Sequence, residues 1–385
     1  MAFEAHSMML AAERATGLSD WGEFDVRAPL EALTQSLETE ADLNAHGLRF
    51  AEERIAQALC NRLRLVEDRK RYPEIARQAI ERPIIIPGLP RTGTSILFNL
   101  LAQDPANRSP RTWEIMQPSP PPRRESYEED ARIEYVQRKL GEWGFLSPEM
   151  LSGHPFDARL AEECIFLCEP ILSNTPFPAF WHVPAFAMRP VDLDAVFAEH
   201  RRFLQHLQAF YPGERWLLKA PTHLLMLDHV ARAYPDAMFV LTHRDLAKVL
   251  PSIAALFVTH RKTFTDNPCN FDLHETMQFN LAMWSQALEA LEDFRKRPGM
   301  EARFVDVRYL DIVADPVGVA EAVYGKLGLA LSHDTAGRMR AYVGAHRGNA
   351  HGLHAYSLAQ SGLTRADIEG AFGGYMDRYG IERED

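Results

Sequence analysis

The sequence predicts an α/β fold, a P-loop-type parallel sheet flanked by helices, on three observations. A short continuous apolar run, PIIIPGL at residues 83–89, reads as a strand buried on both faces, and the SILFNLLAQ that follows has helical spacing. The same order of strand then helix recurs as RWLLKAP and HLLMLDHVARAY, as AMFVLTH and LAKVLPSIAALF, and as ARFVDVRYL and VGVAEAVYGKLG. Between the first strand and its helix lies Gly88-Leu89-Pro90-Arg91-Thr92-Gly93-Thr94-Ser95, a G-x-x-x-x-G-T-S turn that has the phosphate-loop pattern in all but its lysine, whose place Thr94 takes.

Ahead of that unit, residues 28–66 are expected to be helical, because PLEALTQSLETEADL and FAEERIAQALCNRLRLVEDR place apolar residues three and four apart among Glu, Ala and Leu. The chain is therefore expected to have an N-terminal helical lead-in, residues 1–80, packed on a main domain, residues 81–385. Residues 105–212 interrupt the strand and helix alternation with the proline-rich MQPSPPPRRESYEED and NTPFPAFWHVP. They are expected to be a long insertion at the edge of the sheet.

At 385 residues the chain is long enough to bury a large core. Its net charge of −11 argues against a general nucleic-acid or anionic-membrane binder, which needs a long-range positive field, so an anionic ligand has to be held by a local basic pocket. The first residues lack a basic stretch followed by a sustained apolar one, so no secretory signal is read, and no apolar run reaches a membrane-spanning length. Four cysteines, Cys60, Cys164, Cys168 and Cys269, form no C-x-x-C pair, and a reduced, cytoplasmic setting is expected.

A strand that ends in such a turn and opens a helix points backbone N–H groups into one concavity at the positive end of the helix dipole. Without the lysine that reaches β and γ phosphates, and with Arg91 as the nearest cation, the site suits a short anionic group and no metal. GLPRTGTS closely resembles the 5′-phosphosulfate loop of the sulfotransferases that use 3′-phosphoadenosine 5′-phosphosulfate, in their Golgi-type, tyrosylprotein and bacterial branches. The resemblance implies that Arg91, Thr92, Gly93, Thr94 and Ser95 hold the 5′-phosphosulfate. MFVLTHRDLAKVLPSIAALF resembles the family's 3′-phosphate motif, an arginine closing a strand and a serine eight positions on, here Arg244 and Ser252. An arginine can offer a planar fork to a dianionic phosphate, and a serine a hydroxyl.

Three further stretches extend the resemblance. VDVRYLDIVADP is similar to the family's strand ending in a tyrosine near the adenine, which implies Tyr309. HRGNAHGLHAYSLAQSGLT is similar to the loop that closes over the donor in bacterial members, which implies Arg347 and Gly348 for the 3′-phosphate, and WLLKAPTHL is similar to a bacterial segment with a lysine and a histidine at a strand end. Ile96 stands where cytosolic members have a tryptophan that stacks on adenine. His346, His351 and His354 have spacings that fit no common zinc pattern, and no metal is expected.

In sulfuryl transfer, as in phosphoryl transfer, an acceptor oxygen attacks in line and negative charge grows on the oxygen that leaves with the nucleotide. Arg91 and the loop N–H groups answer that charge, with Lys219 adding to it, and the acceptor hydroxyl needs a base. Glu114, at a position like that of the catalytic glutamate of tyrosylprotein members, and His223, four residues after Lys219, compete for this role, with Glu163 the third candidate. The implied activity is transfer to a hydroxyl of a small-molecule, lipid or glycan acceptor. The alternatives are a P-loop kinase or NTPase, for which Asp245 and Asp306 are the formal magnesium ligands, and a non-catalytic nucleotide-binding protein.

Overall fold

The computed structural model describes residues 3–346 and 358–384. Among the described residues five strands, β1 Ile84–Ile86, β2 Asn107–Arg108, β3 Arg215–Lys219, β4 Met238–His243 and β5 Phe304–Arg308, form one sheet in the order β2-β3-β1-β4-β5. Every pairing is parallel, with Ile86 opposite Lys219 and His243 opposite Arg308. The apolar runs read from the sequence lie in β1, β3, β4 and β5, and Ile84, Ile85 and Ile86 are all buried, as a central parallel strand requires. β2 carries no apolar run and is two residues long. It is held from its sides: Asn107 Nδ2 donates to Leu101 O and Tyr324 Oη, each at 2.9 Å, and the Arg215 N–H donates to Ala106 O at 3.1 Å.

Helices follow the strands at Thr94–Leu101, Leu246–Phe264 and Pro316–Leu327. The stretch after β3, expected as one helix, is a 3-10 turn opened by proline, Pro221–Met226, and then a helix, Leu227–Ala233. No helix among the described residues is long and apolar enough to cross a membrane.

Contacts divide the chain into two compact units, residues 1–80, 110–212 and 257–271 in one, and residues 81–109, 213–256 and 272–385 in the other. The second unit contains the sheet. The first gathers the N-terminal helices Ala5–Thr16, Arg27–Thr39 and Ala45–Arg71 with most of the stretch expected as an insertion. Its core centres on Phe50, whose ring stacks on Phe264 at 4.4 Å between centroids and meets Trp143, Phe145 and Phe180 edge-on. One helical turn on, the buried Arg54 donates to Glu169 at 2.6 Å and lies 5.4 Å from the Trp143 ring, so the aromatic core encloses an ion pair. Burial pushes the Glu169 carboxyl up, and Arg54 counters it.

The same unit buries His200, His206 and His260, and burial lowers them to about 4, about 4 and about 3. An unfolded histidine titrates near ~6.5, so as the pH falls the unfolded chain takes up protons that the folded chain refuses, and stability is lost from that pH downward. The melting temperature is expected to fall between pH ~7 and ~5, above the range of ordinary carboxylates. A flat melting temperature over that interval would contradict the buried neutral histidines.

Candidate functional site

The turn from β1 into the helix Thr94–Leu101 passes through two left-handed residues, Arg91 at φ 67° and Gly93 at φ 92°. Alternation of backbone hand over successive residues turns their N–H groups toward one concavity, in front of the helix N-terminus. A side chain at Gly93 would be crowded as well as strained: a Cβ there would lie 3.0 Å from Tyr309 Cδ2 and 3.1 Å from Ile312 Cδ1. Gly88 sits as tightly against β4, where a Cβ would come within 3.0 Å of Thr242 Oγ1. Thr92 fastens the turn: its hydroxyl donates to Leu89 O at 2.7 Å and lies 2.6 Å from Thr242 Oγ1.

Basic groups converge on this turn. Arg91 Nε donates to Ser252 Oγ at 2.9 Å, and burial, helped by the charge of Arg244, pushes the Arg91 guanidinium below its ordinary pKa. Arg244 follows the end of β4; its Nη1 donates to Arg91 O at 3.1 Å and its guanidinium lies 3.8 Å from the centroid of the Tyr309 ring. Its Nε and Nη2 donate to the two carboxylate oxygens of Glu384, each at 2.9 Å. Tyr309 itself stands at the start of the helix Tyr309–Ala314, just after β5. At the end of β3 the buried Lys219 Nζ donates to Ser95 Oγ at 3.4 Å and lies 5.7 Å from the Phe98 ring. His223, in the turn that follows, is fully buried, and its backbone N–H donates to Ala220 O at 3.1 Å.

The fold thus brings together Arg91, Ser252, Arg244 and Tyr309 around the loop, and Lys219 beside Ser95. Glu114 and Glu163 belong to the other unit. Glu114 is fully buried as the third residue of the helix Thr112–Met116, and its Oε2 accepts from the Arg111 backbone N–H at 2.9 Å and from the Tyr127 hydroxyl at 2.8 Å, a capping arrangement. The Glu163 N–H donates to Glu162 Oε1 at 2.7 Å. Arg347, Gly348, His351 and His354 lie outside the described residues.

The carboxylates that a magnesium-dependent kinase would use are engaged elsewhere. Asp306 accepts from Arg295 at 2.7 and 2.8 Å and lies 2.9 Å from His243 Nε2. Burial would raise its pKa, but the hydrogen bonds from Arg295 and His243 outweigh that and hold it well below the usual carboxylate range. Asp245, fully buried at its side chain, pairs with Arg365 at 3.0 Å and accepts from the Ala247 and Glu384 N–H groups. Two members of the site escape a sequence reading: Thr242, an inconspicuous strand residue, and Glu384, 140 positions from the arginine it meets.

A family model described as Sulfotransferase family matches residues 83–333. The chain is 26% identical over 310 residues to the omega-hydroxy-beta-dihydromenaquinone-9 sulfotransferase Stf3 of Mycobacterium bovis, over 78% of this chain and 76% of that protein. Among solved structures, it is 30% identical to the sulfotransferase STF1 from Mycobacterium tuberculosis H37Rv, over 96% of this chain and 98% of that one, with a TM-score of 0.82. To the sulfotransferase STF9 from Mycobacterium avium it is 27% identical, over 99% and 98% of the two chains, with a TM-score of 0.89.

The geometry of the turn leads to one expectation. Gly93→Ala puts a Cβ into a left-handed residue, at a cost of about 1–2 kcal/mol, and against the Tyr309 ring, so the turn or the ring has to shift. Nucleotide affinity measured by titration calorimetry is expected to fall by about tenfold or more, the equivalent of that strain, with the circular dichroism spectrum unchanged. Unaltered affinity in Gly93→Ala would show that the turn does not form the anion cradle.

Proposed function

The chain belongs to the sulfotransferase family, and on that basis we propose that its donor is 3′-phosphoadenosine 5′-phosphosulfate and its acceptor the hydroxyl of a lipid-like small molecule. The observation that carries the donor assignment is the pair of arginines, Arg91 and Arg244, which converge with Ser252 on a lysine-free phosphate loop. In this reading the N–H groups of residues 91–95, with the Thr94 and Ser95 hydroxyls, take the 5′-phosphosulfate, Arg244 and Ser252 take the 3′-phosphate, and the adenine lies near Tyr309. Arg347 and Gly348 remain with the family resemblance as further 3′-phosphate contacts. The acceptor class rests on Stf3, whose named acceptor is an omega-hydroxylated dihydromenaquinone. Residues 105–212 would supply the acceptor side, and a reducing, cytoplasmic setting belongs to the same proposal.

In the proposed reaction the acceptor oxygen attacks sulfur, the bond from sulfur to the nucleotide phosphate oxygen breaks, and the electron pair stays on that oxygen. Arg91 and Lys219 stabilise the charge that develops there, since a cation matched to charge present only in the transition state lowers the barrier. The acceptor proton goes to a base, which we assign to His223. It follows Lys219 on the strand end next to the loop's own strand, the edge where open α/β sheets bind ligands, whereas the Glu114 carboxylate is already engaged in capping a helix.

The donor assignment gives the first test. Adenosine 3′,5′-bisphosphate is expected to raise the melting temperature well beyond AMP or ADP, without magnesium, because binding to the native state stabilises it by mass action. Arg244→Ala is expected to cost about 2 kcal/mol of affinity for the bisphosphate, the scale of a charge-assisted pair. Equal shifts with AMP and the bisphosphate would overturn the assignment.

The base assignment gives the second. His223→Ala is expected to lower turnover by about 10² or more, the lower range for loss of a general base, with donor affinity retained. Glu114→Gln keeps an amide oxygen for the Arg111 N–H and is expected to retain turnover near that of the unaltered enzyme. The reverse pattern would move the base to Glu114, and activity in both variants would direct attention to Glu163.

A further inference from the structure

The guanidinium of Arg244 holds an anion supplied by the chain itself. Glu384 accepts from Arg244 Nε at 2.9 Å through Oε1 and from Nη2 at 2.9 Å through Oε2, the two-pronged geometry by which an arginine fork also takes a phosphate. With Nη1 on Arg91 O and the Tyr309 ring against its face, each of the three guanidinium nitrogens is engaged, and the Nε–Nη2 edge is taken by Glu384. The pair is largely removed from solvent, with side-chain exposures of 21% and 16%.

Glu384 does not reach Arg244 by a loose side chain alone. Its backbone N–H donates to Asp245 Oδ2 at 2.9 Å, its carbonyl accepts from Arg365 Nη2 at 3.3 Å, and Arg365 in turn pairs with Asp245. Asp245 follows Arg244 in the chain and accepts from the Ala247 N–H at the start of the helix that carries Ser252. A backbone clamp of two residues therefore delivers one carboxylate to the arginine fork that the proposed function gives to the 3′-phosphate.

We propose that Glu384 is an internal competitor for the 3′-phosphate, a gate that Arg244 exchanges for the donor on binding. This rests on the assignment of Arg244 to the 3′-phosphate. Two anions cannot use the same N–H groups at once, so a 3′-phosphate that takes the Nε–Nη2 edge of Arg244 breaks the Glu384 pair, and part of the affinity of Arg244 for the 3′-phosphate is spent on that exchange. A nucleotide without a 3′-phosphate leaves the pair intact and is indifferent to it. The gate thus lowers affinity for the 3′-phosphorylated nucleotide alone and favours release of the bisphosphate product after transfer.

The test is calorimetric titration of adenosine 3′,5′-bisphosphate and of AMP into the unaltered protein, Glu384→Gln, Glu384→Ala and Arg244→Ala. Removing the competing charge is expected to tighten bisphosphate binding by about tenfold in both Glu384 variants, the worth of one partly buried charge-assisted pair, with AMP affinity unchanged within about twofold. If Arg244→Ala loses the preference for the bisphosphate while both Glu384 variants bind it no more tightly than the unaltered protein, the gate is overturned and the 3′-phosphate assignment stands. If Arg244→Ala keeps the preference, the assignment fails and the gate with it. Tightening toward AMP as well as the bisphosphate would overturn the gate in favour of a general electrostatic effect.

Discussion

The left-handed backbone of Arg91 is the constraint from which the site follows. A non-glycine residue in that conformation costs about 1 kcal/mol or more, and is kept only where surrounding contacts hold it. At φ 67° Arg91 presents its carbonyl to Arg244 Nη1 while its own Nε reaches Ser252, so this single residue ties the loop to the residue after β4 and to the helix beyond it. Gly93, two positions on, completes the change of hand at a φ of 92° that side chains rarely adopt, and a Cβ there would crowd Tyr309. Thr92 lies between them and is locked to Thr242, so the curvature that gathers the N–H groups is set before any ligand arrives.

Charge in this fold is managed locally. The chain carries a net charge of −11, yet two guanidinium groups lie close enough that Arg244 helps to depress Arg91. Burial and mutual repulsion both disfavour two charged arginines, and the arrangement is compensated by carbonyl, hydroxyl and carboxylate acceptors, with Tyr309 beneath one of them. Tyr309 thereby serves twice, as a wall close against position 93 and as the aromatic face for Arg244. Such a cluster suits an anionic ligand, and in the proposed function that ligand is a nucleotide with phosphates on its 3′ and 5′ oxygens.

What the sequence disclosed, and what it hid, follows from the range of the forces involved. The Ile84–Ile86 run, the glycine turn and the three later strand and helix pairs are local patterns of burial and were legible, except that the stretch after β3 opens as a 3-10 turn at Pro221. β2 was not, because two polar residues become a strand only by pairing beside β3, with Asn107 anchored to Leu101 and Tyr324. The grouping of residues 1–80 with 110–212 and 257–271 was hidden for a similar reason: Phe50, Trp143, Phe180 and Phe264 form one aromatic core from distant parts of the chain, and no periodicity reports that. Arg91, Arg244, Ser252 and Tyr309 were singled out through spacing and family resemblance and lie together in the fold, whereas Glu384 has no local signal and is seen only in its bidentate contact. The cap made by Glu114 is a local pattern, but its backbone and Tyr127 partners required the fold to be seen.

The central claim is that one loop and one arginine divide the two phosphates of a single nucleotide between them, and a crystal structure of the complex with adenosine 3′,5′-bisphosphate tests it most directly. The account requires the 5′-phosphate within hydrogen-bond distance of the N–H groups of residues 91–95 and the 3′-phosphate on Arg244 and Ser252. A nucleotide bound with its phosphates reversed, or away from the β1 turn altogether, would contradict it.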